Sequence, residues 1–458
     1  MSSVKTQPIG AEEILEDEAQ LEAWMRDGCK PPADWRIGTE HEKFGFRKSD
    51  LSPLPYEGAD GINAMLEGLM QFGWQGKYED DKIIGLSRKG GVAVSLEPAG
   101  QLELAGAPVP TLHDTHAELR AHLDEVRVVA ETLGQSYMGI GYSPLWGLDD
   151  APRMPKGRYE LMEKYMPTRG GRGLEMMLLT ATVQVNLDFA SEADMAEKLR
   201  IGLALQPLAT ALFANSPFRD ARATGHLSER SLTWTDTDPD RTGMLELAFS
   251  DDFGFARYVD YALDVPMYFV IRDGRFIDAL GMNFRDFLAG RLPALPNEKP
   301  TGQDWENHLT TLFPEARVKR FIEMRGADSG SEATICALSA FWVGLLYDAA
   351  TQRRTAALIA DWSAEERETL RRTAPISGLA TPFRGGTLRD VAVEVLALSE
   401  GGLRARAIKD AAGRDETHFL APLHAVVESG LTPAEMLLKR FRDEWKEDVR
   451  PVFEALAF

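Results

Sequence analysis

The stretch Thr180-Ala-Thr-Val-Gln-Val-Asn-Leu-Asp-Phe189 alternates apolar and polar side chains without interruption. Successive side chains of a β-strand point to opposite faces, so this alternation predicts a strand with one buried face and one polar face. Gln184 and Asn186 lie on the polar face. An antiparallel sheet with one face packed on a core is the architecture that this stretch favours.

Two further segments repeat the pattern with carboxylates on the polar face. Ile37–Arg47 places Glu40 and Glu42 on one side, about 6.6 Å apart by the rise of a strand. Lys319–Arg325 places Glu323 and Arg325 together on one side. Both segments are therefore predicted to be strands of the same kind.

A fourth segment, Ala93–Ala105, carries Glu97 and Glu103 opposite a row of apolar residues. Pro98 and Gly100 lie between the two acids and predict a bend or bulge. Straight, the six residues from Glu97 to Glu103 would span about 20 Å. The bend must shorten that distance if both acids serve one site.

The polar faces of the four predicted strands, which carry acids on three strands and the amides Gln184 and Asn186 on the fourth, have two interpretations. One is a solvated sheet face, the usual role of a single Glu-x-Glu pair. The other is a cleft for a divalent cation, because like charges that converge on one face repel unless a cation lies among them. Oxygen ligands with almost no His or Cys favour Mg²⁺ or Mn²⁺ over zinc. The candidate ligands are Glu40, Glu42, Glu97, Glu103, Gln184 and Glu323.

The composition argues against several classes of binding partner. The 458 residues contain 51 Lys and Arg against 71 Asp and Glu, a formal charge of −20 that repels nucleic acid and anionic membranes. Only Cys29 and Cys336 occur, too few for a disulfide framework. The first residues lack the apolar stretch of a signal peptide and the Arg-rich bias of a transit peptide, and no stretch suits a membrane span. A cytoplasmic location is the expectation, with neither nucleic acid nor membrane as a partner.

Basic residues accompany the acids. Arg158, Arg230 and Arg325 each have the planar fork that binds a phosphate or a carboxylate in a bidentate manner. Each alone is more often a surface ion pair. The segment from Trp234 to Asp238 is a turn candidate that would line the mouth of a cleft.

Taken together, these segments resemble the plant-type glutamate–cysteine ligases of plants and many proteobacteria. The motifs that carry the resemblance are Ile37-GTEHEKFGF46, Ser95-LEPAGQLELAG106, Met154-PKGRYELM162, Thr182-VQVNLDF189, Trp234-TDTDPDRTG243, Ile322-EMRGAD328 and Phe341-WVGLLYD348. The resemblance covers nearly the whole chain. It implies one catalytic domain, residues 1–458, as a monomer or weak homodimer.

The resemblance also implies a fold and a reaction. The fold would be the α+β fold of the glutamine synthetase superfamily, a curved, mainly antiparallel six-stranded sheet that forms a funnel-shaped active site surrounded by helices. ATP would phosphorylate the γ-carboxylate of L-glutamate, and the amine of L-cysteine would attack the acyl phosphate to give γ-glutamylcysteine, the first step of glutathione synthesis. The motifs do not fix the amine pocket, so a ligase for another amine stays an alternative. An acidic-cluster metallohydrolase is a further one.

Site residues follow from the same resemblance. Glu40, Glu42, Glu97, Glu103 and Glu323 would hold Mg²⁺, with Gln184 as a further ligand. Arg230 and Arg325 would neutralise the transferred phosphoryl group. The expected contacts to glutamate or nucleotide are Arg158, Tyr159, Thr182, Asn186 and Trp234.

The resemblance finally implies a difference in redox control. Plant members are regulated through two disulfides, and by motif alignment one pair of positions falls on Ala279 and Ala294. The other pair falls on His116 and Cys336. Neither bridge can form in this chain, so we expect Cys336 to be a reduced thiol.

Overall fold

The structure is a computed structural model and describes residues 9–458. Within that range its main sheet has nine strands. The strands are β1 (Ile37–Arg47), β2 (Gln75–Glu79), β3 (Lys82–Ser87), β4 (Ala93–Leu96), β5 (Leu102–Ala105), β6 (Gln135–Met138), β7 (Thr182–Leu187), β8 (Ala316–Val318) and β9 (Ile322–Asp328).

The sheet has the order β8-β9-β7-β1-β5-β4-β3-β2, and β6 pairs with the far end of β1. Every neighbouring pair is antiparallel. The predicted α+β class with a mainly antiparallel sheet is confirmed. The number of strands is nine where six were expected, because short hairpins extend the sheet on one side.

One of those hairpins corrects the sequence interpretation. The segment from Ala93 to Ala105 is not one bent strand but the β4–β5 hairpin. The amide of Glu97 donates to the carbonyl of Gln101 at 3.0 Å, and Gly100 has a φ of +81°. A side chain at that φ is unfavourable, so glycine is what lets the chain reverse here.

The polar face of the sheet is set by what packs behind it. Val183 and Val185 of β7 are buried in one core with the long helices that span Glu192–Leu212 and Glu332–Leu346. This burial leaves Gln184 on the opposite face. The alternation of the β7 sequence therefore decides which side chains face the cleft.

Helices surround the sheet on its buried side and at its ends. In chain order they are α1 (Glu18–Arg26), α2 (Ile62–Leu69), α3 (Leu112–Leu133), α4 (Gly157–Tyr165), α5 (Gly173–Leu179), α6 (Glu192–Leu212), α7 (Glu229–Trp234), α8 (Phe255–Asp264), α9 (Phe284–Leu288), α10 (Gly302–Leu309), α11 (Glu332–Leu346), α12 (Ala349–Ile359), α13 (Ala364–Ser377), α14 (Leu388–Arg406), α15 (Ala421–Ser429), α16 (Pro433–Asp443) and α17 (Val452–Ala455).

Side-chain caps fix where several of these helices begin. The Ser191 side chain accepts from the amide of Asp194 at the start of α6. Thr432 and Glu435 form a reciprocal capping box at the start of α16. Such caps satisfy amide groups that would otherwise lack a partner in the first turn.

Four two-stranded ribbons lie outside the main sheet within the described residues. They pair Phe218–Arg219 with Arg222–Ala223, Thr242–Gly243 with Phe313–Pro314, Phe269–Arg272 with Arg275–Asp278, and Pro382–Phe383 with Gly386–Thr387. No single helix in residues 9–458 is long and apolar enough to cross a bilayer. Helices α11 and α12, which meet at a bend of 90°, together have the length and composition of a broken membrane span. Length and composition are the only features that suggest such a span.

Candidate active site

A cleft lies over the polar face of the sheet, and it collects the residues that the sequence singled out. All of them line it except Asn186. The lining residues are Glu40, Glu42, Glu97, Pro98, Gln101, Glu103, Arg158, Tyr159, Met162, Met176, Met177, Thr180, Thr182, Gln184, Arg230, Trp234, Thr310, Phe313, Arg317, Glu323 and Arg325.

Three carboxylates at the base of the cleft are held close together by strand register. Glu42 of β1 is the direct partner of Glu103 on β5, and Glu40 is the partner of Gln184 on β7. Loss of hydration at the base of the cleft, reinforced by neighbouring carboxylates, raises the pKa of Glu40 and of Glu103 to about 7. The same causes raise the pKa of Glu42 well above its ordinary value. The three acids thus lack enough positive charge from the protein to offset their repulsion.

The hairpin turn brings Glu97 to the same cleft as Glu103. Gln101 fixes this turn, because its amide oxygen accepts from Ala99 at 3.0 Å and its amide nitrogen donates to the carbonyl of Thr180 at 2.9 Å. The reversal of the chain, and not a bulge, resolves the distance that a straight strand would put between the two acids.

Glu323 differs from the other acids because cations surround it. Arg317 binds it in a bidentate manner at 2.7 to 3.1 Å, Lys319 lies 3.5 Å away, and Arg325 is also paired with it. Burial alone would raise the pKa of this carboxyl group, but the three cations outweigh burial and hold the pKa below its ordinary value. Glu323 therefore anchors the basic side of the cleft in this structure.

Arg317 is the most informative residue that the sequence interpretation missed. It lies opposite Glu323 in the register of β8 and β9. The signal was present in Ala316-Arg-Val318, but a strand of three residues shows too little alternation to be recognised. The predicted strand from Lys319 to Arg325 is also displaced, since β9 begins at Ile322 and ends at Asp328.

Arg230 reaches the cleft from α7, whose start is fixed by Asp328. The two carboxylate oxygens of Asp328 accept from Ser228, the N-cap of α7, at 2.8 Å and from Ser216 at 2.6 Å. Ser216 in turn accepts from the amide of Arg230 at 3.2 Å. Nη2 of Arg230 donates to the carbonyl of Arg325 at 2.9 Å, so the two arginines lie side by side.

Burial lowers the pKa of Arg230, yet a guanidinium stays charged at any physiological pH. The cleft therefore has an acidic base and a basic wall. Such an arrangement suits a substrate that carries both phosphate groups and carboxylates.

The other residues predicted to contact substrate differ in whether their polar atoms already have hydrogen-bond partners in the protein. The hydroxyl of Tyr159 donates to the carbonyl of Leu96 at 2.6 Å, and that of Thr182 donates to the carbonyl of Ala327 at 2.7 Å. The guanidinium of Arg158 lies near the rings of Tyr159 and Phe269, 5.8 and 5.7 Å from their centroids, and its buried Nε has no hydrogen-bond partner within residues 9–458. Arg158 is thus free to bind an anion, whereas Tyr159 and Thr182 shape the cleft.

Amides and apolar side chains complete the site. Asn186 donates to Glu40 at 2.6 Å, which explains why it supports the cleft without lining it. The oxygen of Gln184 accepts from Arg325 at 2.8 Å. Trp234 packs against Phe313 with ring centroids 5.9 Å apart, and Phe313 is an apolar wall residue that the sequence did not indicate.

The donor set suits a hard cation although no ready-made cage exists. No group of three or more His, Cys, Asp or Glu in residues 9–458 has the geometry of a metal site. Mg²⁺ is usually bound by one or two carboxylates together with waters and substrate phosphates, so it does not require such a cage. Carboxyl groups whose pKa values are raised by burial and by neighbouring carboxylates, despite the cations near them, fit this mode of binding.

The sequence of this chain is similar to a known protein family over most of its length. The model of glutamate–cysteine ligase family 2 matches residues 36–455. Glutamate–cysteine ligase B, chloroplastic, of Oryza sativa subsp. japonica is 53% identical over 454 residues, which cover 99% of this chain and 88% of that protein. The chloroplastic glutamate–cysteine ligase of Arabidopsis thaliana is 54% identical over 456 residues, which cover 99% of this chain and 84% of that protein.

A solved structure supports the fold. The glutamate–cysteine ligase of Francisella tularensis in complex with AMP superimposes with a TM-score of 0.57 at 12% identity, over 93% of this chain and 90% of that one. At this identity the likeness concerns the fold alone.

These relatives also correct one expectation and confirm another. The prediction of a cytoplasmic location is wrong by this comparison, because the relatives are named as chloroplastic enzymes. The sequence-based family resemblance is confirmed by both the family model and the identity of the relatives. This chain belongs to glutamate–cysteine ligase family 2.

Proposed function

We propose that this protein joins the γ-carboxylate of L-glutamate to the amine of L-cysteine at the expense of ATP. One observation carries the proposal: carboxylates at the base of a cleft lie together with two neighbouring arginines, Arg230 and Arg325, on its wall. An ATP-dependent ligase has to hold a polyphosphate, a cation and two amino acids together. Membership of the family indicates which reaction to expect. The cleft contains side chains suited to bind the polyphosphate, the cation and the amino acids.

The chemistry divides into two displacements. An oxygen of the glutamate γ-carboxylate attacks the γ-phosphorus of ATP, forming an acyl phosphate and releasing ADP. The cysteine nitrogen then attacks the acyl carbon, a C–N bond forms, and inorganic phosphate leaves with that carboxylate oxygen. The amine loses a proton to the surroundings in this second step.

Arg230 and Arg325 act on the phosphoryl group in this proposal. Each can donate two parallel hydrogen bonds, and negative charge on the equatorial oxygens of the phosphoryl group is stabilised by such donors. The contact from Arg230 to the main-chain carbonyl of Arg325 holds the Arg230 side chain against strand β9 before substrate arrives. Arg230, which is held in this way, can act as a preorganised donor, and such a donor lowers the barrier because it needs no reorientation during the reaction.

The carboxylates Glu40, Glu42, Glu97 and Glu103 are the proposed ligands for Mg²⁺ or Mn²⁺. Gln184 and Glu323 contact Arg325, so their part in metal binding requires this arginine to turn towards the phosphates. A bound divalent cation offsets charge on the phosphate oxygens and orients them.

Substrate contacts are proposed for the residues around the base. Arg158, whose guanidinium has no hydrogen-bond partner at Nε, is the candidate for a glutamate carboxylate. Tyr159, Thr182 and Trp234 shape the walls, and Asn186 orients Glu40. We further propose that residues 1–458 act as one catalytic domain, as a monomer or weak homodimer.

The test is ADP release measured with glutamate and with a series of amines, each present and absent. The proposal predicts sustained ADP release, beyond one ADP for each enzyme molecule, only when ATP, glutamate and cysteine are all present. Equal turnover with another amine would favour the alternative ligase, and phosphate release from esters without amino acids would favour the metallohydrolase. Neither alternative is favoured by the relatives, which are named glutamate–cysteine ligases.

A further inference from the structure

Strand β9 contains a β-bulge between Met324 and Ala327, and Arg325 lies in this bulge. Met324 pairs with Val185 of β7, but the next paired residue, Ala327, lies opposite Val183. Arg325 and Gly326 therefore share the place of a single residue, Gln184. A bulge of this kind bends the strand and turns a side chain to a new direction.

The bulge serves both arginines of the site. The side chain of Arg325 enters the cleft, where Nη1 donates to Gln184 at 2.8 Å. The carbonyl of Arg325 accepts from Arg230 at 2.9 Å and from Thr182 at 3.1 Å. A shift of this backbone therefore moves Arg325 directly and removes the contact that positions Arg230.

The underside of the bulge rests on one face of helix α6. Residues four apart on a helix share a face, and Gly202, Gln206 and Thr210 form such a row. Thr210 donates to the carbonyl of Gly326 at 3.3 Å, and Gly202 faces Met324. Gln206 is buried at 1% exposure beneath Gly326, and neither polar atom of its amide has a hydrogen-bond partner among the described groups.

Space, and not backbone conformation, makes residue 326 a glycine. Gly326 is not among the glycines with positive φ. A Cβ added to it would lie 2.1 Å from Nε2, 2.3 Å from Cδ and 2.8 Å from Cγ of Gln206, whereas real Cβ contacts are essentially never under 3.0 Å. Any side chain at 326 thus has to lift the bulge or displace a buried glutamine by about 1 Å.

From this geometry we infer that Gly326 is a positioning residue for the reaction, because its bare Cα lets the bulge sit on Gln206 and so sets the places of Arg325 and Arg230. The inference rests on the proposed roles of these two arginines. It goes beyond them because Gly326 touches no substrate and acts through its neighbours.

The experiment compares Gly326→Ala, Gln206→Ala and the double variant with the wild type. A misplacement of about 1 Å can lower a rate by about 10²-fold, so we expect Gly326→Ala to lose about that factor in kcat while KM for glutamate and cysteine changes little. Gln206→Ala removes the three atoms that lie nearest to the new methyl group. The double variant is therefore expected to return to within about threefold of the kcat of Gln206→Ala alone, a non-additivity typical of residues in contact.

Gly401→Ala is the matched control, since Gly401 lies in α14 and a Cβ there meets nothing within 4 Å. Normal kcat in Gly326→Ala would overturn the inference, and so would a loss that the double variant does not restore. If Gly326→Ala does not fold, the double variant decides alone, because the inference requires it to fold and to turn over.

A second readout separates this inference from the proposed function. A wild type without ADP release dependent on glutamate and cysteine would contradict the proposed function only. In that case the rise in Tm caused by ATP with Mg²⁺ is compared in the same variants. It should shrink in Gly326→Ala and recover in the double variant, and an unchanged rise in Gly326→Ala would overturn the inference.

Discussion

Glu42 and Glu103 are direct cross-strand partners in the antiparallel pair of β1 and β5, and both carboxyl groups line the same cleft. Like charges in this relationship destabilise a sheet. Glu42 has one backbone donor, the amide of Thr182 at 2.9 Å, and Glu103 accepts from Ser95 at 2.6 Å. In the proposed function, a divalent cation that binds between substrate and protein would offset the repulsion of this pair.

Removal of one charge from this pair is the first prediction. Glu42→Gln or Glu103→Gln preserves size and deletes a proposed metal ligand, so activity should fall at least about tenfold, with a raised requirement for Mg²⁺. The measurement is turnover as a function of Mg²⁺ concentration. Glu394→Gln is the control, since Glu394 is exposed on α14. Near-normal turnover of both variants at the Mg²⁺ concentration that suffices for the wild type would contradict the metal assignment.

The pH dependence of stability is the second prediction. The pKa values of Glu40 and Glu103 are raised to about 7 in the folded protein, from an ordinary value of 4.5. Between these values the folded state binds more protons than the unfolded state, so the free energy of unfolding should decrease as pH rises from about 4.5 to about 7 in metal-free protein. Mg²⁺ should raise Tm more at pH 8 than at pH 5.

The check is thermal unfolding with and without Mg²⁺ across this range. In the double variant Glu40→Gln, Glu103→Gln, the decrease between these pH values should be smaller than in the wild type. A double variant with the same pH profile as the wild type would show that these two groups do not titrate as described.

Sequence alone predicted which faces of the strands carry chemistry, because alternation has a period of two and survives small errors at strand ends. Glu40, Glu42, Glu103 and Glu323 reach the cleft for this reason, whereas Glu97 reaches it through the hairpin turn after β4. Pairing was harder to predict, since it depends on turns and on very short strands. The β4–β5 hairpin and the three residues of β8 show both difficulties.

The environment of each acid could not be predicted from its spacing either. Glu323 appeared equivalent to Glu40, yet three cations bind it and lower its pKa, whereas the pKa of Glu40 is raised. One of those cations, Arg317, comes from a different strand. Charge balance of this kind depends on tertiary contacts that no local pattern contains.

The third prediction concerns the basic wall. Arg230→Lys keeps the charge but loses the planar fork and the present contact with the carbonyl of Arg325. We expect kcat/KM to fall by roughly 10²-fold, the scale for removal of one transition-state donor, with an unchanged Tm. Arg354→Lys, at an exposed position of α12, serves as the control for the exchange itself. An unaltered kcat/KM would show that Arg230 does not bind the phosphoryl group and has a structural role only.

The fourth prediction concerns thiol chemistry. Cys336 is a free thiol buried in α11, and burial raises its pKa to about 12, so the reactive thiolate is scarce. Cys29 is free and only partly buried near the end of α1. Activity should be equal within error after treatment with dithiothreitol or with oxidised glutathione, and Cys336→Ser should not alter that response. Several-fold activation by oxidant, together with a peptide map that shows Cys29 joined to Cys336, would prove this expectation wrong.

The central claim is that ATP activates the γ-carboxylate of glutamate as an acyl phosphate before the amine attacks. The most direct measurement uses glutamate labelled with ¹⁸O in its γ-carboxylate, with ATP, Mg²⁺ and cysteine, and mass spectrometry of the released inorganic phosphate. If γ-glutamyl phosphate is the intermediate, the released phosphate carries one ¹⁸O atom for each γ-glutamylcysteine formed. Phosphate free of label during steady formation of the dipeptide would contradict it.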